Sequence, residues 1–346
     1  MPDNDDEPIG LVRDCLPWQS EEFNRILRQQ ANGKLSHALL ISGQAFLGKL
    51  HFSFSVLCAM LCESTDAISN NGTAGFSVCG DCTGCRLMAA GTHPDFRLLK
   101  PVEAKSIKIE QVRDITAWVG QTAQRAGKKV VIVNPADKMT HESANALLKC
   151  LEEPAGDSLI MLVTSQPGRL LPTIRSRCQS VNFNIPARDE TTDWLRQHGA
   201  DSSRDNEILL DIAGGAPLAV IERFDEAFLE KRKVVVQGVL GIVSSSKTVE
   251  QVSGSVARAD IADAIDCLYD ISIDCLKYLT CDDPHYVRNK DIIAAIEQLC
   301  VVYDLNAMFE LCEVLKVARQ ELSSSSNPDP VLLLESALIA LKSLSH

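Results

Sequence analysis

The stretch Val78-Cys79-Gly80-Asp81-Cys82-Thr83-Gly84-Cys85-Arg86 sets three cysteines at C-x2-C-x2-C spacing, with glycine and aspartate between them. Three thiolates so spaced can point at one centre, and a tetrahedral Zn²⁺ needs a fourth. Cys62, at the expected end of an apolar helix, is the natural fourth ligand, and Cys58, one helical turn earlier, is the alternative. A lone cysteine reads as a small buried hydrophobe. Three at this spacing in a polar loop read as metal ligands. The expected site is therefore Cys62, Cys79, Cys82 and Cys85, closed and structural, with zinc as the cofactor.

A second constellation is Gly43-Gln44-Ala45-Phe46-Leu47-Gly48-Lys49-Leu50. G-x4-G-K between a strand and a helix is the context of a phosphate-binding loop, so Gly43, Gly48 and Lys49 are the candidate nucleotide residues. Leu50 stands where such a loop needs a hydroxyl to ligate Mg²⁺. Asn134-Pro135 stands where the next ATPase strand would supply a metal-orienting Asp and a water-activating Glu, and Asp137 lies past the strand end. The reading is a nucleotide fold without its ATPase chemistry, so ATP hydrolysis is not expected. A third cluster is charged. Glu152 and Glu153 close a helix where the macrodipole disfavours anions, with Lys149 expected to compensate. Arg175 and Arg177 bracket Ser176 after a proline turn.

These residues need rigid carriers, and the apolar pattern supplies them. His37–Ser42, Val130–Val133 and Leu159–Val163 are short, β-branched or aliphatic runs of the kind that makes buried parallel strands, and Val181 with Phe183 marks a last one. Helices are expected after Pro17-Trp18, through Val56 to Leu61, from a Ser106 cap through Trp118, and from a Thr140 cap to Pro154. Basic Arg125, Lys128 and Lys129 precede the central strand, and His93-Pro94 reads as a structural turn. Strand and helix alternate from 37 to 183, which describes one α/β domain with a parallel sheet. After Pro186 the pattern turns helical, with stripes at Ile261, Ile265, Leu268, Ile271, Cys275 and Leu279, at 292–302 and at 308–317. Residues 1–10 read as disordered and Ser323–Ser326 as a linker.

The 346 residues carry a formal net charge of −12, against the basic excess of a chain that grips DNA unaided. The acidic N-terminus is no signal peptide, and no apolar run approaches the roughly 18 residues of a membrane span. An odd count of 13 cysteines fits reduced thiols and a metal in the cytoplasm, not a disulfide framework.

"NALLKCLEEP", a strand, then "RLLPTIRSRC" closely resembles the AAA+ core of bacterial clamp-loader subunits, delta-prime type, of DNA polymerase III. "GTHPDFRLLKP", the cysteine module and "NPDPVLLLESALIAL" resemble the same family, in the same order, over nearly the whole chain. The resemblance implies an AAA+ P-loop-type core at 11–185 with a zinc module at about 58–90. It implies a helical lid at 186–228 and an all-α collar at 229–346. It also implies a non-hydrolysing part of the polymerase III holoenzyme, a nucleotidyltransferase that works in DNA replication. The implied partners are delta and gamma/tau subunits in a hetero-pentamer and, indirectly, the sliding clamp, primed DNA and the single-strand-binding machinery, with no membrane. Active members carry a sensor-2 arginine after a turn like Gly214-Gly215-Ala216-Pro217; this chain has Leu218, Ala219 and Val220, with no arginine before Arg223. Arg177 falls on the family's SRC motif, whose arginine reaches a neighbour's γ-phosphate. Two rivals are a gamma/tau-type ATP-hydrolysing motor and a stand-alone zinc-dependent nucleic-acid binder. Leu50 and Asn134 disfavour the first, and the net charge disfavours the second.

Overall fold

The computed structural model describes residues 14–64, 78–102, 106–125, 127–154, 156–198, 206–224, 226–322 and 328–344. The expected disorder at 1–10, the polar loop after Cys62 and the linker at 323–326 lie outside the described residues. Two compact units divide the chain, residues 1–194 and 195–346.

The first unit is built on five strands: β1 (Ala38–Gly43), β2 (Phe96–Leu99), β3 (Lys129–Val133), β4 (Ser158–Thr164) and β5 (Gln179–Phe183). Every pairing is parallel, and the strand order is β2-β3-β4-β1-β5. All residues of β3 and β4 are buried, as parallel strands covered on both faces must be. The helices are α1 (Ser20–Ala31), α2 (Lys49–Leu61), α3 (Thr83–Ala89), α4 (Ile109–Val119), α5 (His141–Glu152) and α6 (Pro172–Arg175). One sheet face, through Leu40, Val131, Val133, Ile160 and Leu162, shares a core with Val112 and Ile115 of α4 and Leu147 and Leu151 of α5. The alternate residues face the other way, where α2 packs on β1 and β4. There Phe52 meets Phe183 edge-on at 4.8 Å.

Local chemistry explains most of the boundaries. Thr140 caps α5 by accepting from Ser143 N–H at 3.2 Å, and Pro154 follows its end. The Ser106 cap is a correction. Ser106 pairs with Val102 and Ile107 with Met139 in isolated bridges, which hold both residues extended. Helix α4 therefore starts at Ile109, and Gln111 reaches back to accept from Lys108 N–H at 2.9 Å. Lys129 opens β3 rather than preceding it, with its ammonium 4.4 Å from the Trp118 ring centre.

Helix α7 (Arg188–Gln197) spans the division, and the second unit is all helix. It comprises α8 (Asn206–Ile212), α9 (Pro217–Glu222), α10 (Glu226–Val243), α11 (Val249–Ser255), α12 (Ile261–Cys281), α13 (Ile293–Val302), α14 (Leu305–Leu322) and α15 (Pro330–Leu344). The expected stripe on α12 is the spine of its core: Ile261, Ile265, Leu268, Ile271 and Cys275 are buried against α10, α13, α14 and α15. Val317, inside another expected stripe, is half exposed on α14. Asp274 is fully buried on α12 and accepts from Arg288 N–H, Asn289 N–H and Asn289 Nδ2. No single helix among the described residues is long and apolar enough to cross a membrane.

Candidate functional site

The cysteine site is assembled from two helix ends. Cys62 is the C-cap of α2. Cys82 is the N-cap of α3, its sulfur accepting from Cys85 N–H at 3.3 Å, and Cys85 sits in the first turn. The expected polar loop therefore holds only as far as Cys82; from Thr83 onward the run is helical, which sets Cys85, three residues after the capping Cys82, on the same side of the first turn. The sulfurs of Cys62, Cys79, Cys82 and Cys85 all lie within 4.8 Å of one another. Cys62 and Cys79 are 3.5 Å apart, and Cys79 and Cys85 are 3.8 Å apart. A tetrahedron with Zn–S bonds of about 2.3 Å has edges of about 3.8 Å, so the spacing fits a four-thiolate metal centre. Cys58 is buried in α2 and is not one of the four.

Gly84 explains how the two helix ends meet. A Cβ built there would lie 2.3 Å from Leu61 O, the last carbonyl residue of α2. Only a residue without a side chain lets α3 approach that closely. The backbone also favours thiolate character at one corner: N–H groups of Cys82 and Asp81 lower the Cys79 thiol to about 6. Burial pushes Cys85 and Cys62 upward, a cost that a bound dication would reverse. Outside the cluster, Glu63 ties the module to the sheet through Arg125 Nε at 3.1 Å. Arg125 and Gln124 in turn donate their backbone N–H groups to the buried Asp95 carboxylate. His93 is buried, with Nδ1 accepting from Asp95 N–H at 3.2 Å, in keeping with a structural turn.

The G-x4-G-K loop connects β1 to α2, with Gly48 at the N-cap. Gly43 takes φ +147°, and a Cβ there would come within 2.5 Å of Phe183 O. Lys49 is buried, and its ammonium donates to Gln44 O at 2.6 Å, a carbonyl of the same loop. Trp18 Nε1 and Gln19 Nε2 both donate to Leu47 O at 3.0 Å, and Gln19 Nε2 also donates to Gly48 O at 2.7 Å. Pattern reading took Pro17-Trp18 for a turn alone and missed this bracing. Gln19 is fully buried, a tertiary placement that its polar side chain does not announce in the sequence. Asn134 is buried past β3, its N–H on Leu99 O, and Asp137 accepts from Thr164 Oγ1.

Arg177 lies after α6 and is separate from both sites. Its Nη1 donates to Thr173 O at 3.0 Å and its Nη2 lies 2.7 Å from Glu152 Oε1. Glu152 is thus paired with an arginine from another element, where Lys149 was expected. Lys149 and Arg175 make no side-chain ion pair among the described residues. Arg223, the first arginine after the α8–α9 turn, is bound to Asp263 at 2.8 Å.

Two family models match the chain. The model for "DNA polymerase III, delta subunit" covers residues 18–187, and the model for the C-terminal part of that subunit covers residues 226–343. The DNA polymerase III subunit delta' of Pseudomonas aeruginosa is 34% identical over 335 residues, which is 96% of this chain and 99% of that protein. Its counterpart in Haemophilus influenzae is 29% identical over 94% of this chain and 96% of that protein. In fold, a DNA polymerase III gamma subunit-related protein from Thermotoga maritima superposes with a TM-score of 0.50 at 16% identity, over 95% of this chain and 100% of that one. With a relative above 30% identity matched from end to end, and with sheet and helical unit both spanned by the family models, the chain belongs to the delta' subunit family of the bacterial DNA polymerase III clamp loader.

Proposed function

We propose that this clamp-loader subunit does not hydrolyse ATP and instead donates Arg177 to the ATP site of a neighbouring subunit. On this reading it assembles in the cytoplasm with delta and gamma/tau subunits into a pentamer that opens the sliding clamp and loads it on primed DNA. Zinc is the structural metal of the module, held by Cys62, Cys79, Cys82 and Cys85. The metal chemistry of ATP hydrolysis has no carrier: Leu50 has no hydroxyl, Asn134 and Pro135 no carboxylate, and Lys49 is engaged by its own loop. Gly43, Gly48 and Lys49 remain as a degenerate phosphate loop.

The observation that carries the reading is a contrast within one chain. Its own phosphate loop lacks the groups that act on ATP, yet the SRC arginine is kept about one-third exposed on the surface. A guanidinium there forks onto phosphate oxygens, stays charged, and offsets charge that develops during phosphoryl transfer. The test is Arg177→Ala in the reconstituted complex. Folding and metal content should be unchanged, while ATP hydrolysis and clamp loading fall. Arginine fingers contribute on the order of 10³–10⁵ in rate at a single site, diluted here by the other sites of the loader. Arg175→Ala should do less. Wild-type turnover and loading by the Arg177→Ala complex would return Arg177 to a surface ion pair.

A further inference from the structure

The arginine assigned above is held before any partner arrives. Arg177 Nη1 donates to Thr173 O at 3.0 Å and lies 3.4 Å from Ser176 Oγ, both on its own turn. Its Nη2 lies 2.7 Å from Glu152 Oε1. Glu152 is the last residue of α5, a place where the helix dipole disfavours a carboxylate. The cation one turn earlier, Lys149, leaves it alone, and Arg175, two residues from Arg177, has no side-chain partner among the described residues. The carboxylate is therefore spent on one of two neighbouring arginines, across a gap in sequence that no local pattern requires. A guanidinium has five N–H donors. Three contacts leave two of them for an acceptor that this chain does not provide.

We propose that Glu152 is a positioning residue: with the Thr173 carbonyl it fixes the Arg177 guanidinium in one pose and leaves its spare donors for the phosphate oxygens of a nucleotide on the neighbouring subunit. This rests on the finger reading of Arg177. Arginine has many rotamers, and a finger that is already ordered loses less freedom when the subunits close. The pair is roughly half exposed, 36% at Arg177 and 48% at Glu152, so its hold is that of a surface pair and shifts the population of the ordered pose by about 1.4- to fivefold.

The test uses the reconstituted complex and steady-state ATP hydrolysis. Glu152→Ala should lower kcat about 1.4- to fivefold and leave KM for ATP unmoved, because the nucleotide is bound by the neighbour. Glu152→Gln keeps an oxygen that accepts the Nη2–H and should recover at least half of the lost rate. In an Arg177→Ala background, Glu152→Ala should change nothing further. The melting temperature and metal content of each variant chain should match the wild type. A Glu152→Ala complex as fast as wild type or faster, beside an impaired Arg177→Ala complex, overturns the positioning role and leaves the finger standing. A rise in KM alone, or an equal loss in the Arg177→Ala background, also overturns it, since the carboxylate would then act through something other than the arginine. Wild-type turnover with Arg177→Ala overturns the finger reading itself.

Discussion

Replacing Gly84 by alanine adds one methyl group where α3 crosses the end of α2. That carbon would sit 2.3 Å from Leu61 O, with Glu63 Cγ at 3.5 Å. Contact distances for a Cβ and a carbonyl oxygen are about 3.2 Å or more, so the helices must part by about 1 Å; overpacking of this size costs about 1–3 kcal/mol. The strain falls on the metal-bound state. With the cation present, Cys62 on α2 and Cys82 and Cys85 on α3 are pulled to one point, and ligand distances tolerate only about 0.2 Å of error. Without it, α3 is free to back away. The full cost then appears in metal affinity, as a loss of about five- to 150-fold at 1.4 kcal/mol per factor of ten. Competition of the purified chain against a chromophoric chelator measures this directly, with circular dichroism to confirm that the sheet stays folded. Unchanged affinity in Gly84→Ala would mean that the close approach is not what assembles the cluster.

The isolated chain should show no ATP turnover, and residual phosphate release should be the same in Lys49→Ala; turnover that disappears with Lys49→Ala would contradict this. Metal analysis should find one Zn²⁺ per chain, lost in Cys82→Ser and in Cys62→Ser but retained in Cys58→Ser, with the main sheet still folded; retention in Cys62→Ser would move the fourth ligand elsewhere. Asp274→Ala strands the N–H groups of Arg288 and Asn289 in the core of the second unit and should lower stability by about 3–5 kcal/mol, read as a fall in melting temperature or denaturant midpoint; a loss under 1 kcal/mol would show that water replaces the carboxylate.

Legibility in the sequence followed the range of the forces involved. The strands were visible because Val130–Val133 and Leu159–Val163 are buried on both faces and so carry apolar residues without alternation. Thr140 and Pro154 act on their own backbone neighbours, and they bound α5 as expected. Cys79, Cys82 and Cys85 were visible by spacing and Cys62 by its place at a helix end, since the geometry a metal site requires is one that sequence can record. What failed was set by residues far apart in the chain. Ser106 is a good cap by type, yet the bridges of Ser106 and Ile107 to Val102 and Met139 outweigh that preference. Glu152 was assigned to Lys149 by helical proximity, while Arg177 reaches it from a separate turn. Gln19 bracing the loop at Leu47 and Gly48, and the strand order itself, are tertiary facts with no short-range signature.

The strand order also sets a schedule for the chain as it is made. β1 ends up between β4 and β5, so its first partner strand is complete only when Thr164 has been added. From Ala38 that is 164 − 38 = 126 residues later, or roughly 6–25 s at synthesis rates of about 5–20 residues per second. During that wait Leu39, Leu40 and Ile41 emerge from the ribosome with no strand to pair with. The four cysteines are different: all lie between positions 62 and 85, upstream of every strand but β1. A metal ion held there would close that module while the sheet is still waiting for its centre, and would give the nascent chain one crosslinked, water-stable fixture long before it has a core.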